Sequence, residues 1–291
     1  MTSTLKPASN NKLPLPVPEQ YNTLLEQKVQ RVLELFQGIP LPAYTVVESE
    51  PEYYRMRAEF RIWHEADSLD YAMYAPEDPK TPIPLDQFPV ASKAINELMP
   101  RVKLAVQGSE LLRKRLFQIE FLSTLSDDML ITLIYHRRLE DDWHAAAQEL
   151  EQQLGCKIIG RSRKQKRVVS DDFVLETLCV DNQPYHYRQY EGGFTQPNAK
   201  VNEQMISWAC QQIKDSEGDL LELYCGNGNF TIPFSRFFPK VFATEISKTS
   251  VKALSENCAL NNAGNIQLAR LSAEELSEAL RGERQFRRLK D

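Results

Sequence analysis

Between residues 21 and 36 apolar side chains recur at helical spacing. Tyr21, Leu24, Leu25, Val29, Val32, Leu33 and Phe36 form one stripe, and Gly38 with Pro40 ends the helix. Residues 1–20 are polar and hold four prolines (Pro7, Pro14, Pro16, Pro18), the pattern of a loose leader. Residues 53–64 alternate instead. Tyr54, Met56, Ala58, Phe60 and Ile62 point one way, and Arg55, Arg57, Glu59, Arg61 and Trp63 the other, because side chains alternate across a pleat. Further strands are predicted over 116–123 and 129–136, and a helix over 141–154 stopped by Gly155. A basic run follows (Arg161, Arg163, Lys164, Lys166, Arg167), with no acid between residues 161 and 170. Mixed short elements up to about residue 185 predict an α+β first domain over residues 21–185.

The pattern changes after Gln189. A helical stretch over 201–213 leads into a short, mostly apolar run at 219–224, as expected of a strand buried in a parallel sheet. A Gly/Asn turn at 226–229, a second strand at 240–246, a helix at 249–260 and the start of a third strand at 265–268 complete a βαβα pattern. Residues 186–291 are therefore predicted to begin a Rossmann-like, doubly wound α/β domain.

The turn between that first strand and its helix reads Tyr224-Cys225-Gly226-Asn227-Gly228-Asn229. Gly226 and Gly228 permit a tight turn and close approach of a ligand to the backbone. Glu245 lies 245 − 226 = 19 residues past the first glycine, at the end of the next strand, where an acid can accept both hydroxyl protons of a ribose. Thr231 stands where a dinucleotide site wants its third glycine, and there is no Walker Gly-Lys-Ser/Thr. An adenosine ligand without a pyrophosphate fits best, with S-adenosylmethionine the leading candidate. The bland alternative is a glycine turn that binds nothing.

Composition changes little in this picture. With 291 residues, 42% hydrophobic and 26% charged, the chain is an ordinary globular one of about two domains. Lysines and arginines less acids give 35 − 40 = −5, which does not exclude a local basic face. No apolar run approaches the roughly 18 residues of a membrane span, and the amino terminus lacks the apolar core of a signal peptide. The five cysteines (Cys156, Cys179, Cys210, Cys225, Cys258) contain no C-x-x-C and read as reduced cytosolic thiols. His64, His144 and His186 have no metal-ligand spacing, so no metal is expected. The expected protein is a cytoplasmic monomer.

Several longer segments carry a resemblance. LLELYCGNGNF, ATEIS and GGFTQPN are similar to the cofactor motifs of the S-adenosylmethionine-dependent RNA uracil-5-methyltransferases. YRMRAEFRIWH, KRLFQIEFLSTLS and LIYHRRLEDDW resemble that family's tRNA (uracil-5-)-methyltransferase branch, and the likeness runs from about Tyr21 to Asp291. The resemblance implies that Gln196, Tyr224, Asn229 and Glu245, with the amides around Gly226, contact S-adenosylmethionine. It implies a tRNA substrate, methylated at C5 of the T-loop uridine, with tmRNA as a second RNA. Phe117 and His136 match positions near splayed loop bases, although Phe117 also alternates with Ile119 and Phe121 as a core residue would. Arg55, Arg57 and Arg61 are suited to phosphates. Arg163 and Lys164 would extend that footprint, unless their run is simply a solvated hairpin.

In the mechanism that the resemblance implies, a cysteine thiolate adds to C6 so that C5 can accept the methyl group, and a base then removes the C5 proton. The family holds that cysteine in an S-C-N-P motif. No cysteine here precedes Asn-Pro, so nucleophile and base are expected beyond Asp291 and the chain reads as a truncated, inactive member. Truncation would leave DLLELY as a sheet edge with an uncovered apolar face. The main alternative is a non-catalytic tRNA-binding or folding protein. A small-molecule or protein methyltransferase fits the arginine-bearing strand less well.

Overall fold

The computed structural model describes Leu13, Leu15, residues 17–65 and residues 68–285, so most of the leader over 1–20 lies outside the described residues. The chain divides into two compact units, Met1–Ser123 with Met129–Asp171, and Thr124–Asp128 with Asp172–Asp291.

The first unit opens with α1 (Tyr21–Leu35), which matches the predicted stripe yet buries none of its side chains. A seven-stranded sheet follows: β1 (Arg57–Glu65), β2 (Ser68–Ala75), β3 (Asp78–Leu85), then α2 (Lys93–Gly108) and α3 (Glu110–Arg113), then β4 (Leu116–Ser123), β5 (Met129–Tyr135), α4 (Asp141–Leu154), β6 (Lys157–Ser162) and β7 (Gln165–Val168). The strand order is β3-β2-β1-β4-β5-β6-β7. Neighbours are antiparallel except β5 and β6, whose parallel pairing needs the α4 crossover. Alternation holds along β1, with Ala58, Phe60 and Ile62 buried and Glu59, Arg61 and Trp63 exposed. Phe60 centres an edge-to-face cluster with Tyr71, Phe88 and Phe121 at 5.4, 5.5 and 6.1 Å. Ile95, Met99 and Val102 of α2 and Trp143, Ala147 and Leu150 of α4 complete the core. Gly155 ends α4 in the left-handed region, φ 70°, as the sequence predicts.

One strand boundary differs from expectation. Tyr53 has φ 57° and Arg55 forms an isolated bridge to Ala91, so β1 starts at Arg57 rather than at residue 53.

The second unit holds the hairpin β8 (Phe173–Val180) and β9 (Gln183–Tyr190), α5 (Ala199–Ile213), β10 (Leu220–Leu223), α6 (Thr231–Phe234), β11 (Val241–Thr244), α7 (Lys248–Leu260), β12 (Ile266–Ala269) and α8 (Ala273–Leu280). The domain boundary expected at 185/186 falls inside β9. Here β9 packs on α7, with Asn257 Oδ1 accepting from Arg188 N at 2.7 Å and Asn261 Oδ1 from His186 N at 2.9 Å. Strands β10, β11 and β12 are parallel and in that order. Among the described residues β10 is thus an edge strand with Leu221 and Leu223 45% and 40% exposed, the uncovered edge expected for DLLELY rather than a strand buried on both faces.

Candidate nucleotide-type site

Where β10 ends the chain turns sharply. Tyr224, Gly226 and Gly228 all take left-handed backbone, with φ 56°, 59° and 90°. For a tyrosine this is strained, and a solvent-facing side chain (71% exposed) does nothing to relieve it. Gly228 is there for space as well as conformation. A Cβ at that position would run into the Leu254 side chain of α7 and stand 3.1 Å from Ile232 Cδ1.

The loop is pinned from several elements. Cys225 N–H donates to Thr244 O at 3.0 Å, continuing the β10–β11 ladder. Asn257 of α7, wholly buried, donates to Asn227 O at 3.0 Å. Tyr187 Oη donates to Asn229 O at 3.3 Å. The Asn229 side chain exchanges two 2.8 Å hydrogen bonds with Asn202 of α5. Gln196, Asn202, Glu222, Tyr224, Gly226 and Asn229 then share the wall of one cavity. Four of the five expected cofactor contacts are therefore brought together.

The fifth, Glu245, holds the loop instead of lining the cavity. Its Oε2 accepts from Gly226 N at 3.0 Å, and its Oε1 from Ile246 N at 2.8 Å and Ser247 N at 2.7 Å. The sequence expectation for Glu245 is a ribose acceptor, and here its carboxylate also serves three backbone amides. Three of its roughly four lone-pair positions already serve backbone amides.

Glu222 is the wall residue that sequence reasoning misses. Burial pushes its carboxyl up to about 7, and the Thr231 hydroxyl opposes this only weakly. Neither Glu222 Oε2 nor Thr231 Oγ1 closes a well-formed hydrogen bond. The available signal was an acid in the middle of an otherwise apolar strand. Cys225 also faces the cavity, but burial pushes its thiol up to about 12. Cys156 is raised to about 12 and Cys258 to about 11 for the same reason.

In the first unit, the Arg61 guanidinium lies 4.2 Å over the Phe117 ring, which stacks on His136 at 4.0 Å and 24°. The β4–β5 register shifts between Leu116 and Gln118. This bulge takes Phe117 off the buried face of Ile119 and Phe121 and leaves it half-buried, so it is not a core residue. Arg57 shares the β1 face with Arg61. Arg55 does not, since it precedes the strand and donates through Nε to Arg57 O at 2.8 Å. Arg163 and His136 line a common cleft, and Lys164, φ 59°, forms the β6–β7 turn. Among the described residues no cluster of His, Cys, Asp or Glu could hold a metal ion, and no helix is long and apolar enough to cross a membrane.

A parallel α/β unit with a left-handed glycine loop after its first strand, preceded by an α+β unit, defines a two-domain protein with a Rossmann-like methyltransferase fold. The archaeal tRNA (uracil-54, C5)-methyltransferase of Pyrococcus abyssi, solved in complex with S-adenosyl-L-homocysteine, shares the fold with a TM-score of 0.62 over 86% of this chain and 63% of its own, at 16% identity. The chain belongs to the tRNA (uracil-5-)-methyltransferase family, whose model matches residues 20–291. Relatives named tRNA/tmRNA (uracil-C(5))-methyltransferase are 50% identical in Aromatoleum aromaticum and 52% in Dechloromonas aromatica. Each matches over 281 residues, 96% of this chain and 76% and 78% of the relatives' lengths.

Proposed function

We propose that this chain serves S-adenosylmethionine-dependent methylation of uracil C5 in the T-arm of tRNA, with tmRNA as a second RNA. Family membership supports the reaction class. The observation that carries the cofactor is the cavity at the Tyr224–Asn229 loop, where the Glu222 carboxyl has a buried oxygen without a partner. A cationic ligand would meet that need, since a buried acid is stabilised in its charged form by a nearby positive charge. When bound, the sulfonium supplies the methyl group. Asn229 and the amides of the loop offer polar contacts, Gln196 adds an amide to the wall, and Tyr224 lends an aromatic face. Glu245 keeps Gly226 in position and retains one acceptor site for a sugar hydroxyl.

On the RNA side, Arg57, Arg61, Arg163 and Lys164 supply guanidinium and ammonium donors for phosphates, and the Phe117–His136 stack offers a surface for an unstacked base. Arg55 precedes the strand at the Arg57 end of the sheet and adds charge there. The C6 nucleophile is assigned to none of the five cysteines. Burial keeps the thiols of Cys156, Cys225 and Cys258 protonated at neutral pH, which makes them weak nucleophiles.

Calorimetry with S-adenosylhomocysteine tests the cofactor half, and labelled-methyl transfer to unmodified tRNA tests the reaction. Micromolar binding that weakens in Glu245→Ala is expected. No heat with the wild-type chain, together with no effect of that substitution, would sink the proposal. With none of the five cysteines assigned as the C6 nucleophile, binding of both cofactor and tRNA without methyl transfer is expected of these residues alone, and turnover would overturn that assignment.

A further inference from the structure

We propose that the carboxyl ends of β5 and β6 form a phosphate-binding cleft for the RNA strand, resting on the RNA half of the function proposed above. The two strands are the one parallel pair of their sheet, and between their ends lies a cleft of about 690 Å³ lined by Ile134, His136, Arg137, Arg138, Arg161 and Arg163, among others. Three stretches distant in sequence meet there. Arg137 donates to Leu111 O at 2.5 Å, Lys114 O at 2.9 Å and Arg138 O at 3.1 Å, and His136 N–H donates to Arg115 O at 3.0 Å. Residues 113–115, 136–138 and 161–164 thus bring Arg113, Lys114, Arg115, Arg137, Arg138, Arg161, Arg163 and Lys164 to one end of the sheet, in a chain of net charge −5.

Two ion pairs at this end involve well-exposed acids. Glu140 reaches Arg138 at 3.2 Å with both side chains more than half exposed, and Asp141, almost fully exposed, pairs with Arg167 at 2.9 Å. Exposed pairs of this kind contribute little and yield readily to a better anion. Arg137 is committed to carbonyls and acts as scaffold, while Arg138 and Arg163 are the exposed arginines of the cleft. His136 belongs both to the cleft and to the stack with Phe117 and Arg61. Guanidinium forks beside an aromatic platform match a sugar–phosphate strand carrying a base better than they match an acidic protein surface.

The test measures binding of a fluorescent T-arm hairpin RNA to the full chain across a potassium chloride series, with thermal melts to verify folding. Arg138→Ala and Arg163→Ala are each expected to flatten the slope of log affinity against log salt by about 0.8, which is roughly sixfold weaker binding at 0.1 M salt relative to 1 M. Arg163→Lys, which keeps the charge, is expected to retain the slope. Unchanged slopes in folded alanine variants would overturn the cleft while leaving the proposed function standing. So would displacement of the RNA by polyglutamate at equal charge concentration. A wild-type chain that binds S-adenosylhomocysteine but not the hairpin would overturn the cleft and the RNA half of the function together.

Discussion

Asn202 on α5 and Asn229 in the glycine loop face each other as a reciprocal pair, each side-chain nitrogen donating to the other's oxygen at 2.8 Å. Asn202 is buried and both residues line the cavity, so the pair ties the position of a helix to that of the loop in the ligand wall. Asn202→Ala leaves the Asn229 amide without its partner, a loss on the order of 1–3 kcal/mol. We expect about tenfold weaker S-adenosylhomocysteine binding by calorimetry with a modestly lower melting temperature. A variant that melts lower but binds as before would show that the pair is structural alone.

Glu245 gathers three backbone amides, one from the loop and two from the residues just before α7. In Glu245→Gln one oxygen can still serve Ile246 and Ser247, but the new NH2 group then confronts Gly226 N–H. Losing that charge-assisted bond costs about 1.5–3 kcal/mol. Cofactor affinity is expected to fall at least tenfold, read by the same titration.

Tyr224 pays for its position with a left-handed backbone, φ 56°, that glycine adopts freely. Tyr224→Gly removes strain of roughly 1–2 kcal/mol at little cost in burial. The variant is expected to melt higher and bind cofactor more weakly, because the aromatic wall is gone. Thermal melts paired with calorimetry separate the two effects.

Glu176 is buried on β8, and its Oε1 accepts from Leu125 N at 2.9 Å and Thr177 N at 3.0 Å. Burial, aided by the nearby Glu203 charge, pushes its carboxyl from the usual 4.5 up to about 7 despite those amides. The folded chain therefore holds a proton that the unfolded chain releases between pH 4.5 and about 7. Stability from this group is greatest below pH 4.5, falls across that window by about 3 kcal/mol as an upper figure, and is level above it. Glu176→Gln keeps the acceptor oxygen, so its melting temperature at pH 8 is expected to exceed the wild-type value and to change less between pH 5 and 8.

Gly160 on β6 lies beneath the buried Trp143 ring, with a Cβ there only 2.6 Å from Trp143 Cζ2 and 2.7 Å from Leu139 Cδ1. Neither neighbour can move, since both are wholly buried. Gly160→Ala is expected to destabilise the first unit by about 1–3 kcal/mol, read as a lower denaturant midpoint.

Wherever local periodicity and burial agree, the elements were legible in the sequence. The helix over 141–154 with its glycine stop, the strand at 116–123 and the succession of α5, β10, β11 and α7 follow from patterns a few residues long, since a strand or helix with one core-facing side must repeat its apolar residues. The glycine loop and most of its wall were legible too, through Gly226, Gly228 and the neighbours that the family motifs mark.

Tertiary structure decided the rest, because it depends on what meets across long sequence gaps. A bulge, not alternation, takes Phe117 out of the core. Helix α7 draws the hairpin of residues 173–190 into the second unit through Asn257 and Asn261. Glu245 turned out to be held by three amides, and the buried, unmatched oxygen of Glu222 became visible only once the strand around it was folded. Three basic segments that are modest when read separately gather at one sheet end because β5 and β6 run parallel. Hydrogen bonding and burial are properties of neighbours in space, and a single chain read in order lists neighbours along the backbone alone.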